Sequence, residues 1–441
     1  MAIQIDLDKY QQALRIADPF VCNGSVVQVS GLVIEVEGIT CQVGDLCYIQ
    51  SRISKNPISA EVIGFRGNRM ILMPLADLYG IQPGSRVINR DRPFTIKVGE
   101  ELRGRILDGM GNPMDNRGPV MCNTLWPLTN NPPHPLSRTP ITEPISTGIR
   151  AIDGVLTCGK GQRIGIFSGS GVGKSTLIGM IARNCSSDIN VVALIGERGR
   201  EVRDFIERDL GEEGLKHSVL VVSTSDQPAL MRLKGAQVAT SIAEYFRDLG
   251  MHVVFLMDSV TRFAMGQREI GLSAGELPVS KGYPPSVFAL LPKLMERTGT
   301  SHKGTITAFY TVLMEADDLN EPLIDTVRSI VDGHIVLSRA LAYENHYPAI
   351  DTLNSISRSM PSVTDKEHQA AAGKLREILA AYENAKDLVN IGAYVSGSNP
   401  QIDYALKMLP QVKSFLRQAA DERSSYEETF RTLRSLFGDA R

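Results

Sequence analysis

No stretch of the chain approaches the roughly eighteen apolar residues that a membrane-spanning helix requires. Its start, Met1-Ala2-Ile3-Gln4-Ile5-Asp6, lacks the basic-then-apolar order of a secretory signal. The six cysteines, Cys22, Cys41, Cys47, Cys122, Cys158 and Cys185, show no Cys-x-x-Cys spacing and no accompanying histidine cluster. That spacing argues against a zinc site or a disulfide framework and for reduced thiols in a cytosolic protein. A formal net charge of −2 gives no general pull toward nucleic acid or anionic lipid. Internal repeats and low-complexity tracts are also lacking. What remains is ordinary globular composition, 43% hydrophobic and 22% charged, over 441 residues, enough for two or three domains with a sizeable core.

The most informative segment is Ile164-Gly165-Ile166-Phe167-Ser168-Gly169-Ser170-Gly171-Val172-Gly173-Lys174-Ser175-Thr176-Leu177, an apolar strand running into a glycine-rich turn and then a helix. Such a turn points backbone N–H groups at phosphate oxygens while the helix presents its positive end, so a nucleoside triphosphate is the expected ligand. The phosphate-binding set is Gly169, Ser170, Gly171, Val172, Gly173, Lys174, Ser175 and Thr176, with Lys174 reaching the β- and γ-phosphates and the Ser175 hydroxyl holding Mg²⁺. Ser168 stands where the motif's first glycine belongs; three glycines remain in the turn, and a serine at its entry needs only ordinary backbone angles if the bend starts one residue later.

A metal site needs an acidic partner, and His252-Val253-Val254-Phe255-Leu256-Met257-Asp258 supplies one at the end of a strand-length apolar run. Taken alone, Asp258 reads equally as a helix cap. A third apolar run, Val191 to Ile195, ends in Gly196-Glu197-Arg198-Gly199-Arg200-Glu201. At the carboxyl end of a strand, Glu197 is placed to orient or deprotonate an attacking water and Arg198 to neutralise phosphate charge. A solvated charged turn is the alternative.

Periodicity divides the chain into three expected regions. Residues 1–95 open with a short amphipathic segment carrying Leu7, Tyr10, Leu14 and Ala17, then alternate short β-rich runs with glycine turns, as a small antiparallel barrel would. Residues 96–350 alternate strands and helices, the pattern of a mostly parallel α/β sheet, and their approach is a proline-rich linker from Pro127 to Pro144. Residues 351–441 are helical, with Leu375, Ile378, Leu379 and Tyr382 on one helix and Tyr426, Phe430, Leu433 and Phe437 on the last.

Several segments together resemble the hexameric ATPases related to the catalytic subunit of the rotary ATP synthases. They are Gly104-Arg105-Ile106-Leu107-Asp108, Gly111-Asn112-Pro113, Thr147-Gly148-Ile149-Arg150-Ala151-Ile152-Asp153, the phosphate loop, Gly196-Glu197-Arg198, Pro348-Ala349-Ile350-Asp351 and Ser355-Ile356-Ser357-Arg358. Within that group the chain is most similar to the type III protein-export ATPases, above all the flagellar one, through Gly196 to Val202, Lys281-Gly282-Tyr283-Pro284-Pro285-Ser286-Val287-Phe288 and Leu294-Met295-Glu296-Arg297.

The resemblance implies a P-loop ATPase core between an N-terminal β-barrel and a C-terminal helical domain, assembled as a homohexamer with MgATP between subunits. It implies Arg358 as the arginine that enters a neighbour's site, Tyr347 as the aromatic packing on adenine, and Phe415 as a candidate for the opposite wall. It also implies a cytoplasmic protein at the inner face of a membrane export apparatus, whose partners are a regulator, a stalk, a gate, exported substrates and their chaperones.

Other readings are separable. A virulence-associated secretion ATPase shares these motifs. A rotary synthase subunit would carry a strongly acidic loop between C-terminal helices, whereas Asn390 to Pro400 holds no acidic residue. A ring RNA translocase would need a basic, aromatic-bearing barrel face, and here the aromatics are spread singly. A scaffold that binds nucleotide without turnover would have little use for Glu197.

Overall fold

The structure, a computed structural model, describes residues 23–51, 53, 56–89, 94–314, 318 and 320–437. The amphipathic segment expected around Leu7 to Ala17 lies outside them. Two compact units emerge, one built from the residues up to Phe94 with Ser273–Gly275, the other from Thr95–Leu272 and Glu276–Arg441.

The first unit is a closed barrel of six strands, Asn23–Ser30 (β1), Val33–Glu37 (β2), Leu46–Ile49 (β3), Ile58–Arg66 (β4), Arg69–Pro74 (β5) and Arg86–Asn89 (β6). The strands run β1-β2-β5-β4-β3-β6, and β6 pairs back onto β1, so no edge is left open. Alternation decides the interior: Val26, Ile34, Val36, Cys47, Ile49, Ala60, Val62, Leu72 and Val87 fill one core. On β2, Glu35 is buried but satisfied by Arg66 at 2.8 Å and Arg69 at 2.9 Å.

In the second unit, Thr95–Val98 (β7) pairs with Thr124–Pro127 (β9), and Ile106–Asp108 (β8) joins a nine-stranded sheet. Its other members are Arg163–Ser168 (β10), Ile189–Ile195 (β11), Ser218–Ser223 (β12), His252–Asp258 (β13), Gly299–Thr300 (β14), Thr305–Leu313 (β15), Gly333–Leu337 (β16) and Ile350–Ser357 (β17). The order is β17-β16-β10-β15-β13-β11-β12-β8, parallel throughout except β17 at one edge and the short β14 paired to β15. Every residue of β11 and β12 is buried, as expected of strands covered on both faces.

The expected helical region from 351 begins inside β17, so a strand of the central sheet, and not a helix, occupies that boundary. The helices Lys366–Asn390, Pro400–Leu416 and Tyr426–Phe437 follow, and their apolar faces share one hydrophobic core with the phosphate-loop helix Lys174–Asn184 and β10. Asp365 caps the first of them by accepting the His368 N–H at 2.8 Å.

The family-like motifs are largely structural fastenings. Asp153 is fully buried and accepts from Thr147 N, Thr147 Oγ1, Gly148 N and Ser146 Oγ, knitting a turn to the short helix Arg150–Val155. Burial pushes its carboxyl up to about 6 against those donors. Arg297, at the end of Leu294-Met295-Glu296-Arg297, forms a buried double contact with Glu244 at 2.8 and 2.7 Å and also donates to Leu128 O and Ser241 Oγ. Each partner satisfies the other, which is the condition for burying charge.

Candidate active site

Because β10, β11 and β13 are parallel, their carboxyl ends lie along one edge of the sheet. Ser168 is the last residue of β10, paired with Leu313 and Leu337, with none of the positive φ that would demand glycine. The left-handed turn comes later, at Gly171 (φ 78°) and Gly173 (φ 91°). The helix then starts at Lys174 and aims its first amides back over the loop.

Lys174 Nζ lies 2.5 Å from Asp258 Oδ1 and 3.5 Å from Glu197 Oε1. All three side chains are mostly buried. Burial pulls the Lys174 ammonium down, but the Asp258 and Glu197 carboxylates offset it and hold its pKa above the ordinary value. Burial, then the charge of Asp258, pushes Glu197 up to about 7, with Lys174 pulling the other way. Its Oε1 is buried and, beside the 3.5 Å ion contact with Lys174, makes no hydrogen bond of normal geometry among the described residues. A carboxylate titrating near neutrality, with a lone pair free, is suited to accept a proton from water.

Gly196 sets the position of Glu197. It has φ 73°, and a β-carbon there would fall 2.6 Å from Arg262 Cβ, so only glycine lets the strand end abut the helix Val260–Ala274 that follows β13.

The structure brings two further residues here that sequence reasoning missed. Thr311 on β15 places its Oγ1 2.8 Å from Asp258 Oδ1, orienting that carboxylate from the neighbouring strand. Its sequence signal is weak, because the same strand also carries Thr305 and Thr307. Arg262, in the first turn of the helix Val260–Ala274 after Asp258, keeps a buried Nε with no hydrogen-bond partner among the described residues. A cation four residues beyond a strand-end carboxylate was the available signal.

Tyr347 comes to the loop from the far side of the chain. Tyr347 is 42% exposed, and its ring lies 3.5 Å from where a β-carbon on Gly173 would sit, an ordinary contact distance that sets the ring against the loop. The Tyr347–Pro348 bond is cis, and Tyr347 O accepts from Gln418 N at 2.9 Å. The Gln418 side chain is buried, accepting from Arg150 N and donating to Gly148 O and Glu422 O.

Two expected residues are placed elsewhere. Phe415 is 4% exposed, its ring in the hydrophobic core against Gly154, where a β-carbon would meet Cζ at 2.9 Å. A buried ring has no face left for a base, so Phe415 is corrected to a core residue. Arg198 caps the start of a short helix and points to solvent, 79% exposed and 3.5 Å from Glu201.

Arg358 sits at the opposite end of the sheet. β17 is antiparallel to β16, with Ser357 opposite Gly333 and Ile350 opposite Leu337. Arg358 N donates to Asp332 O, and Asp332 in turn holds Arg163 at the start of β10. The exposed Arg358 is therefore separated from its own phosphate loop by the length of β10, about 17 Å at a rise of ~3.3 Å per residue.

Among the described residues no group of three or more His, Cys, Asp or Glu forms a metal cage. The oxygen donors near the loop include the Ser175 hydroxyl and the Asp258 and Glu197 carboxylates. Hard donors few in number suit Mg²⁺, which is characteristically held by one or two protein oxygens together with phosphates. No helix among the described residues is long and apolar enough to cross a membrane.

Comparison with known proteins agrees along the chain. The ATP synthase alpha/beta family matches in its nucleotide-binding domain over residues 148–357 and in its beta-barrel domain over 26–90. The T3SS EscN ATPase C-terminal domain matches residues 364–435. The flagellum-specific ATP synthase of Bacillus subtilis is 54% identical over 429 residues, 97% of this chain and 98% of that protein. The type 3 secretion system ATPase of Xanthomonas euvesicatoria is 48% identical, covering 95% of this chain and 94% of that one. Among solved structures, the assembled ATPase EscN of the enteropathogenic E. coli type III secretion system superposes with a TM-score of 0.89 at 47% identity, covering 94% of this chain and all of that one. The same ATPase with its central stalk EscO gives 0.87 at 46% identity, again covering 94% of this chain and all of that one.

Proposed function

Since the chain belongs to the ATP synthase alpha/beta family, among its flagellum-specific and type III secretion ATPases, we propose that it hydrolyses ATP in a homohexameric ring to drive flagellar protein export. The observation carrying this reading is the division of charged groups between the two ends of one sheet: Lys174, Glu197 and Asp258 at one, Arg358 at the other.

The loop amides and Lys174 bind the triphosphate. Lys174 leaves Asp258 for the β- and γ-phosphates, a trade of one buried anion for another. Ser175 and Asp258 would hold Mg²⁺, which supplies charge neutralisation on the phosphates when bound. Tyr347 packs against adenine. Glu197 orients the attacking water and takes its proton for an in-line displacement. Arg358 of one protomer neutralises the charge developing in its neighbour's site, so a monomer is slow and a ring fast. In the well-studied nucleotidases such an arginine is worth roughly 10³ to 10⁵ in rate.

EscN forms a complex with a central stalk, and we extend that partner to this chain together with a regulator, an export gate, exported proteins and chaperones. The working location is the cytoplasmic face of the membrane export apparatus. The flagellar reading is preferred over a virulence secretion system because the relatives at 54% and 49% identity are both flagellum-specific. The test is specific ATPase activity against protein concentration, for wild type and Arg358→Ala, followed by complementation of a flagellar export mutant. A rate per chain that climbs with concentration and is lost in the variant is expected. A flat rate unaffected by Arg358→Ala overturns the shared site.

A further inference from the structure

We infer that Cys41 and Cys47 form a thiol-oxidation site in the barrel, closing to an intramolecular disulfide when the protein meets a small disulfide oxidant of the glutathione type. Their sulfurs stand 3.7 Å apart, and a disulfide bond is about 2.05 Å, so closure takes about 1.6 Å of movement.

Both ends of the short loop between them are fixed. Cys47 lies on β3, paired with Ala60 on one side and Asn89 on the other, and is fully buried in the barrel core. Cys41 is half-buried, on the turn that leads into β3. That turn is held by Asp45, whose Oδ2 accepts Gln42 N at 2.8 Å and whose N donates to Gln42 O at 3.1 Å. Gly44 N donates to Val62 O at 2.8 Å, and Asn89 Nδ2 donates to Thr40 O at 3.2 Å, tying the turn to β4 and β6. The sulfurs therefore face each other as a property of the folded barrel and not of chain proximity alone.

The other described cysteines are poorly suited to this chemistry. Burial and the neighbouring Glu101 carboxylate push Cys122 up to about 11, and burial drives Cys158 and Cys185 far above their ordinary range. A thiol held protonated is a poor nucleophile.

The half-buried partner reacts first. Cys41, as thiolate, attacks one sulfur of oxidised glutathione, forming a mixed disulfide and releasing one glutathione thiolate. Cys47 then attacks the Cys41 sulfur, and the second glutathione leaves. The two cysteines lose two electrons and two protons, and the oxidant becomes two molecules of reduced glutathione. Excess reduced thiol runs the sequence backwards.

Full-length wild type, Cys41→Ser and Cys47→Ala are incubated natively with oxidised glutathione, quenched in acid, alkylated under denaturing conditions and mapped by mass spectrometry without reductant. In wild type the peptide holding both residues should be two hydrogens lighter, unalkylated, and restored to two alkylated thiols by dithiothreitol. Cys47→Ala should retain glutathione on Cys41, the trapped first step, while Cys41→Ser leaves Cys47 reduced. Should Cys47→Ala fail to fold, the wild-type map decides alone. Two alkylated thiols in wild type, a Cys41–Cys22 link, or closure seen only in denaturant would overturn the assignment.

Discussion

The two ends of the central sheet differ in almost every physical respect. At the carboxyl end, charges are buried and crowded: Lys174 touches Asp258, and Glu197 is pushed up to about 7. At the amino end, Arg163 is largely buried but paired with Asp332, and Arg358 is exposed. His334 there lies below its ordinary pKa through burial, Arg328 and Arg358. One end thus crowds buried charge around Lys174, and the other presents the exposed Arg358, for which no salt bridge is found among the described residues. Under the proposed trans-arginine reading, two copies placed end to face would join the two sets of charges in one site, which is the physical reason to expect a ring.

The most severe test of that contrast is a mixture. Arg358→Ala alone should lose roughly 10³- to 10⁵-fold in turnover, and Lys174→Ala should be inactive. Mixing the two should restore measurable hydrolysis, because interfaces between an intact Lys174 and an intact Arg358 reappear. No recovery in mixed assemblies would mean that the two ends do not share a site.

Glu197→Gln comes next, with about 10²- to 10⁴-fold lost from kcat while ATP still binds, as read by equilibrium titration with a fluorescent nucleotide. Equal loss of binding and turnover would make Glu197 a ligand-holding group and not a base. Tyr347→Ala should raise KM for ATP roughly five- to a hundredfold with kcat little changed, the value of one base–aromatic contact of about 1 to 3 kcal/mol.

The pH profile follows with a smaller effect. A base must be deprotonated to act, and burial places Glu197 near 7, so kcat/KM should rise with pH through about 7 and fall roughly tenfold per unit below it. A profile flat between about pH 6 and 8 would show that some other group takes the proton. The smallest effect on nucleotide handling belongs to Phe415→Leu. It should leave KM within about twofold while lowering stability by about 1 kcal/mol, measured by urea unfolding, since the ring packs on Gly154 in the core.

Much of the barrel was legible because turn glycines and alternating runs encode it locally. Gly31, Gly38, Gly44, Gly67 and Gly84 all have positive φ, and the β-rich runs between them became β1 to β5. The phosphate loop was equally plain, since strand, glycine turn, Lys174 and helix are contiguous. The misread residues share one cause. The resemblance supplied Phe415 without saying whether its ring meets a ligand or Gly154, and position at a strand end brings Arg198 near the site without fixing which way it points. Thr311 went unnoticed because its role exists only against β13, a strand remote in sequence but adjacent in the sheet.

By itself the sequence determined the glycine turn and helix start on which the proposed triphosphate site rests, because those features are set by neighbouring residues, glycine freedom and a helix N-terminus. It also determined the order of barrel, parallel sheet and helices through their periodicities. Tertiary structure alone decided that Lys174 is held between Asp258 and Glu197, that Tyr347 lies over Gly173, that Phe415 belongs to the core, and that Arg358 stands a strand length from its own loop. The reason is one of range. Hydrogen bonding and φ preferences act over a few residues, whereas charge pairing, ring packing and sheet register join positions whose separation along the chain carries no trace of their distance in space.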